Sequence, residues 1–151
     1  IHRFVLFKVP SAELADDIVA QVFEGLWMYV VDRKRITHFR ALMYRIARNL
    51  IAHHYREAGK SRNIAIEYVE LSVAQDNEGL AHVQREDLLA AFVELTEDQA
   101  ELVQLRYIEG LPVKVVAEVV GKSRAAVSVG LRRANKRLKR FLDSDVHKKK
   151  K

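Results

Sequence analysis

Residues 111–142, LPVKVVAEVVGKSRAAVSVGLRRANKRLKRFL, leave the chain few ways to fold. Val113, Val116, Ala117 and Val120 recur at helical spacing, which predicts a short amphipathic helix. Gly121 supplies the left-handed residue that stops it, and Ser123 stands where an N-cap hydroxyl starts the next. In that second helix Val127, Leu131, Ala134, Leu138 and Leu142 form one apolar stripe. Ala125, Val129, Arg132, Lys136 and Arg140 lie opposite it, at roughly 100° per residue. A short helix, a glycine turn and a long basic helix make a helix-turn-helix, a motif that places its second helix in a DNA major groove. The plainer reading of the same pattern is an antiparallel helical hairpin with a solvated basic face.

The rest of the composition bounds the function. A formal charge of +6 and a pI near 9.7 suit a polyanionic partner, which nucleic acid, ribosome and anionic membrane surface all satisfy. The absence of cysteine excludes a disulfide framework, a zinc ribbon and thiol chemistry, and fits a reducing cytoplasm. No apolar run approaches the roughly 18 residues of a membrane span, so no membrane insertion is expected. The sequence shows no signal peptide; it opens on Ile1, and its first segment reads as the last turns of a helix whose beginning is missing.

Pro10-Ser11 resets the backbone, and Ser11 can cap the next helix. Leu14, Ile18, Val22, Leu26 and Val30 repeat every four residues, with Val19, Phe23 and Trp27 beside them, which predicts a wide core stripe. The outer face of this helix carries Asp17, Gln21 and Glu24, an acidic ridge on a basic protein. Residues 28–38, with Asp32-Arg33-Lys34-Arg35 and Thr37, read as a loop. A second long helix spans 39–56, with Phe39, Met43, Ala47, Leu50 and Ile51 on one side. Arg45, Arg48, Asn49, His53 and Arg56 lie on another, with Tyr44 at the margin, a mix that clamps phosphates and stacks on bases. Residues 57–85 sustain no period, and the stretch from Glu67 to Glu78 carries Glu67, Glu70, Asp76 and Glu78 without a Lys or Arg, which marks a linker. Helical spacing resumes at Leu88, Leu89, Phe92 and Leu95; Thr96-Glu97-Asp98-Gln99 is a capping box opening a further helix. The expected organisation is all-α: a first helical domain at 1–57, an acidic linker at 58–85, a four-helix domain at 86–142 and a basic tail at 143–151. The closing lysines 148–151 read as a disordered run giving salt-sensitive attraction.

These segments together resemble the bacterial RNA polymerase sigma factors of the extracytoplasmic-function type, in the sigma-70 family. Residues 15–23 (ADDIVAQVF) are similar to that family's region 2.2 helix, 39–50 (FRALMYRIARNL) to regions 2.3–2.4, and 95–142 to region 4, in the family's order. The resemblance implies two helical domains, region 2 and region 4, joined by a flexible linker. It implies that Asp16, Asp17, Gln21 and Glu24 dock on the clamp helices of core polymerase. Arg33, Lys34, Arg35, His38, Tyr44, Arg45, Arg48, Asn49 and Arg56 would bind the −10 strand, the loop holding a flipped base. Lys122, Ser123, Arg124, Ala125, Ser128, Val129, Arg132, Arg133 and Lys136 would bind the −35 duplex. The resemblance further implies an anti-sigma partner, a cytoplasmic setting, and no cofactor or metal.

The sequence departs from the family in places. Ala20-Gln21 stands where Gln-Glu is frequent, Leu42 where tryptophan is common and His53 where aspartate is. Ser128-Val129-Gly130 replaces a basic residue, a small polar one and an arginine; Gly130 costs the helix about 1 kcal/mol relative to alanine and removes a phosphate contact. Ala125 and Val129 offer bases only apolar contacts, such as thymine methyls. Two other readings compete: a helix-turn-helix regulator acting without polymerase, and a sigma-like protein that no longer reads the −35 element. Enzymatic chemistry has no foothold, because adjacent His53-His54 cannot face one metal from one helix and no glycine-rich phosphate loop exists.

Overall fold

The computed structural model describes residues 1–58 and 92–148. The linker and the helical spacing at Leu88–Leu89 lie outside the described residues. The described residues include six α-helices and one π turn, with no strand among them. Helix α1 is His2–Leu6, α2 Ala12–Val31 and α3 Phe39–Glu57. Helix α4, Glu97–Val103, runs into a π turn over Gln104–Ile108; α5 is Val113–Val120 and α6 Arg124–Lys148.

The expected punctuation is where the sequence puts it. Ser11 Oγ accepts from Leu14 N–H at 3.1 Å and opens α2. Thr96 and Gln99 bond reciprocally at the start of α4, satisfying two of the helix's orphan donors. Gly121 takes φ 68°, the left-handed region that penalises a side chain, and ends α5. Ser123 Oγ then accepts from Ala126 N–H at 3.1 Å.

Three elements differ from the expectation. Helix α2 continues through Val31, so the loop is 32–38 rather than 28–38; nothing in Met28–Val31 breaks a helix. The Asp32 N–H still reaches Met28 O at 2.9 Å before Arg33 turns to φ 52°. Helix α6 runs on to Lys148, because Asp143–Lys148 contains neither Gly nor Pro. The third is packing. Ala15, Ile18, Val22 and Leu26 are the buried face of α2, held by α1 and α3, whereas Phe23, Trp27 and Val30 sit outside. Phe39 is likewise exposed.

Within the second unit α6 lies on α4 and α5, with Val127, Leu131 and Ala134 buried beneath it. Gly130 faces inward: a Cβ there would stand 2.5 Å from Leu102 Cδ1, so its lack of a side chain lets α6 approach α4. That position therefore serves packing, and a basic side chain in it would meet Leu102 before it met a phosphate. The two units also pack on each other directly, α3 against α5, and their buried residues form one continuous cluster.

Candidate nucleic-acid interface

Three charged faces emerge. On α2, Asp16, Asp17, Gln21 and Glu24 are all exposed; Asp16 Oδ1 lies 2.7 Å from His2 Nε2. Beside this ridge the apolar stripe continues as Phe23 and Trp27, the latter two-thirds exposed. On α6 and the turn before it, Lys122, Ser123, Arg124, Ala125, Ser128, Arg132, Arg133 and Lys136 are exposed, with Val129 half-buried. The lysine at the turn donates to Asp98 Oδ2 at 2.6 Å, which ties the turn to α4. Arg133, Lys136, Arg137 and Arg140 line a shallow depression farther along α6. Guanidinium and ammonium groups at helical spacing on an exposed face are arranged to track a phosphate backbone.

The third face, on α3 and its preceding loop, is divided. Arg33, Lys34, Arg35, Arg45, Asn49 and Arg56 are exposed. The Lys34 ammonium sits 2.9 Å from Asp32 Oδ2, a hydrogen bond and charge pair that hold its pKa above the ordinary lysine value. Tyr44, Arg48 and His38 instead face the second unit. Tyr44 is 3% exposed; Phe4 meets its ring edge-on and its hydroxyl donates to Glu109 Oε2. Burial, then the hydrogen bond to Glu109, push the phenol's pKa far above its usual value. Arg48 Nε is 3.2 and 3.1 Å from the two oxygens of Glu101, and His38 Nε2 is 3.4 Å from Glu118 Oε1. In this conformation Tyr44, expected at the margin of the strand-binding face, is buried and closed to a nucleobase. The reason is rotational: Tyr44 and Arg48, four residues apart, project one way from α3 while Arg45 and Asn49 project another.

The sequence alone did not single out Glu101, Glu109, Glu118, Arg3, Lys8 or Arg40. Glu101 is 5% exposed and also pairs with the buried Lys8 ammonium at 3.4 Å. Arg3 donates to Ile108 O at 2.8 Å, and Arg40 to Glu109 O at 3.1 Å. Gln104 Nε2 donates to Phe4 O at 3.3 Å. The one available signal was the shared stripe of Glu101, Gln104, Leu105 and Ile108 at helical spacing. The π turn ends with Glu109 N–H on Gln104 O at 2.9 Å, an extra residue in the turn that aims Glu109 at α1 and α3. Among the described residues no cluster of His, Asp and Glu has metal-ligating geometry, and no helix is long and apolar enough to cross a membrane.

Comparison with known proteins places these faces in context. Residues 1–61 match the family described as Sigma-70 region 2, and residues 85–138 match Sigma-70, region 4. The ECF RNA polymerase sigma factor BldN of Streptomyces coelicolor is 27% identical over 151 residues, 97% of this chain; the chain spans 57% of that relative's length. Among solved structures, CnrH in complex with the cytosolic domain of CnrY superposes with TM-score 0.66 at 24% identity, covering 95% of this chain and 80% of CnrH. The sigma factor RpoE in complex with the anti-sigma factor NepR from Bartonella quintana superposes with TM-score 0.67 at 20% identity, covering 95% and 90%.

Proposed function

The chain belongs to the sigma-70 family, with its regions 2 and 4 in order, and on that premise we propose that it is a promoter-specificity subunit of RNA polymerase, of the extracytoplasmic-function type. In this reading α2 docks on core polymerase, α3 and the 32–38 loop engage the −10 strand, and α6 reads the −35 duplex. The chain performs no catalysis of its own; polymerase supplies the chemistry, in the cytoplasm. An anti-sigma protein as regulatory partner is part of the same proposal, by analogy with the sigma factor RpoE, whose structure is of its complex with the anti-sigma factor NepR.

The observation that carries the reading is the coexistence of opposite charges on separate faces. A helix-turn-helix regulator needs the basic face of α6 but has no use for an exposed acidic ridge flanked by Phe23 and Trp27 on α2. An acidic ridge repels DNA and suits a basic protein surface. The test is run-off transcription with core polymerase on a library of genomic fragments, alongside competition with the housekeeping sigma for core. Specific transcripts and competition are expected. A chain that binds duplex DNA yet neither competes nor initiates would be a regulator instead.

A further inference from the structure

Helix α2 carries a knob and helix α6 a hole, and their chemistries match. Phe23, Trp27, Val30 and Val31 are each more than half exposed on consecutive turns of α2, although residues of these types belong in a core. Beside them stand the exposed carboxylates of Asp17 and Glu24. An apolar patch rimmed by charge marks a surface that another molecule covers. On α6, Arg133, Lys136, Arg137 and Arg140 enclose a depression of about 410 Å³, walled mainly by their aliphatic stems. Aliphatic walls under a cationic rim suit an indole, through apolar contact and cation–π attraction together. The helix has no acidic residue between Arg124 and Leu142, and among the described residues none of these four cations has an ion-pair partner.

From this complementarity we infer that the chain binds a second copy of itself, Phe23 and Trp27 of one entering the α6 depression of the other. The charges fall in register. Asp17 and Glu24 are seven positions apart, as are Arg133 and Arg140, about 10 Å along either helix. Two such helices laid side by side set a carboxylate against each end of the basic row while the aromatic rings seat between. Within one molecule the contact does not close: the principal packing runs α2 on α3, α3 on α5 and α5 on α6, so two helices intervene. A knob and a hole on different faces make a head-to-tail contact, which extends from copy to copy. The formal charge of +6 opposes association at long range, but screening over about 8 Å in physiological salt leaves the contacting groups dominant, and those are of opposite sign. The inference goes beyond the proposed function and stands on the chain alone.

Trp27 is the sole tryptophan, so its emission reports the contact directly. In the absence of polymerase and DNA, wild-type emission should shift to the blue with concentration. Mass by sedimentation equilibrium should rise between roughly 10 and 300 µM, as for a small and weak interface. Trp27→Ala and Arg137→Glu/Arg140→Glu alter exposed side chains, and each should stay monomeric with the circular dichroism of the wild type. Mixed, the two variants should pair one to one, because the first keeps the hole and the second the knob. The only tryptophan in that mixture should then shift to the blue as the Trp27→Ala chain is added. A wild-type chain that stays monomeric throughout, or a mixture that does not pair, overturns the inference. So does association that survives in both variants alone, which would place the contact elsewhere. Polymerase does not enter the measurement, so failure of the sigma reading would show separately, in run-off transcription.

Discussion

The hydroxyl of Tyr44 donates its hydrogen bond to the carboxylate of Glu109, joining residues 65 apart in the chain. The bond works only while the phenol keeps its proton, and burial together with Glu109 raises the pKa that governs this. A group whose folded pKa lies above its unfolded value stabilises the fold fully below the unfolded value, about 10 for tyrosine, and loses that contribution as pH rises toward the folded one. Stability measured by denaturant between pH 8 and pH 12 should therefore fall above pH 10, and Tyr44→Phe should flatten this limb. At neutral pH the same substitution should cost about 1–3 kcal/mol, the penalty for leaving a buried acceptor short of one donor. An unchanged alkaline limb in Tyr44→Phe would assign the titration to another group.

Glu101 gives a sharper case, since Lys8 and Arg48 both converge on it and the Lys8–Glu101 pair is buried. Removing one member of a buried pair leaves an under-compensated charge, at a cost of roughly 3–5 kcal/mol. Glu101→Ala should lower stability by that amount in urea unfolding. The double variant Glu101→Ala/Lys8→Met, which withdraws both buried charges, should recover most of it. If the single and double variants unfold alike, the pair contributes nothing beyond its packing.

Much of this was legible in the sequence, for reasons that are local. Ser11, Thr96, Gly121 and Ser123 act within a turn of where they stand, so their chemistry announces the helix ends. The long basic helix α6 was equally plain, because Val127, Leu131 and Ala134 repeat on one side and the arginines fall on the other. Long-range choices were not. Phe23, Trp27 and Phe39 have core chemistry and lie outside the core, since only a neighbouring helix decides which part of an apolar stripe is covered. Glu101, Glu109 and Glu118 look like ordinary surface acids until the first unit is packed against them. Gly130 reads as a defect in isolation and as a spacing device once Leu102 is in view.

That contact with Leu102 makes a prediction against helix propensity. Replacing a mid-helix glycine by alanine ordinarily stabilises by about 1 kcal/mol. Here the added methyl would stand 2.5 Å from a buried leucine methyl, and overpacking costs about 1–3 kcal/mol. Gly130→Ala should thus lower the melting temperature or leave it unchanged, and in Leu102→Ala the same substitution should be stabilising. A stabilising Gly130→Ala in the wild-type background would mean that α4 and α6 adjust freely.

The acidic ridge can be tested without disturbing the core, because Asp17 is exposed on α2. Charge reversal by Asp17→Arg puts like charge against a basic docking surface, which costs several kcal/mol, equivalent to roughly a hundredfold or more in affinity. Core binding by fluorescence anisotropy should fall by that factor while circular dichroism and melting stay at wild-type values. Undiminished binding would move the docking face elsewhere, the apolar Phe23–Trp27 strip being the next surface to alter.

Arg133 separates readout from attraction on α6. It is exposed beside Lys136 and Arg137, on the face away from Val127 and Leu131. A side chain that neutralises one phosphate releases its counterions, so log affinity falls with log salt by about 0.9 per contact on duplex DNA. Arg133→Ala should weaken binding to −35 duplexes of every sequence to a similar degree and make the salt slope shallower by about that amount. Val129→Ser should behave differently: an apolar group beside the bases acts through contacts such as thymine methyls, so its loss should change sequence preference and leave the slope alone. Were Arg133→Ala to shift preference between sequences at constant slope, the guanidinium would be reading base edges, and the register of α6 in the groove would be turned toward Arg133.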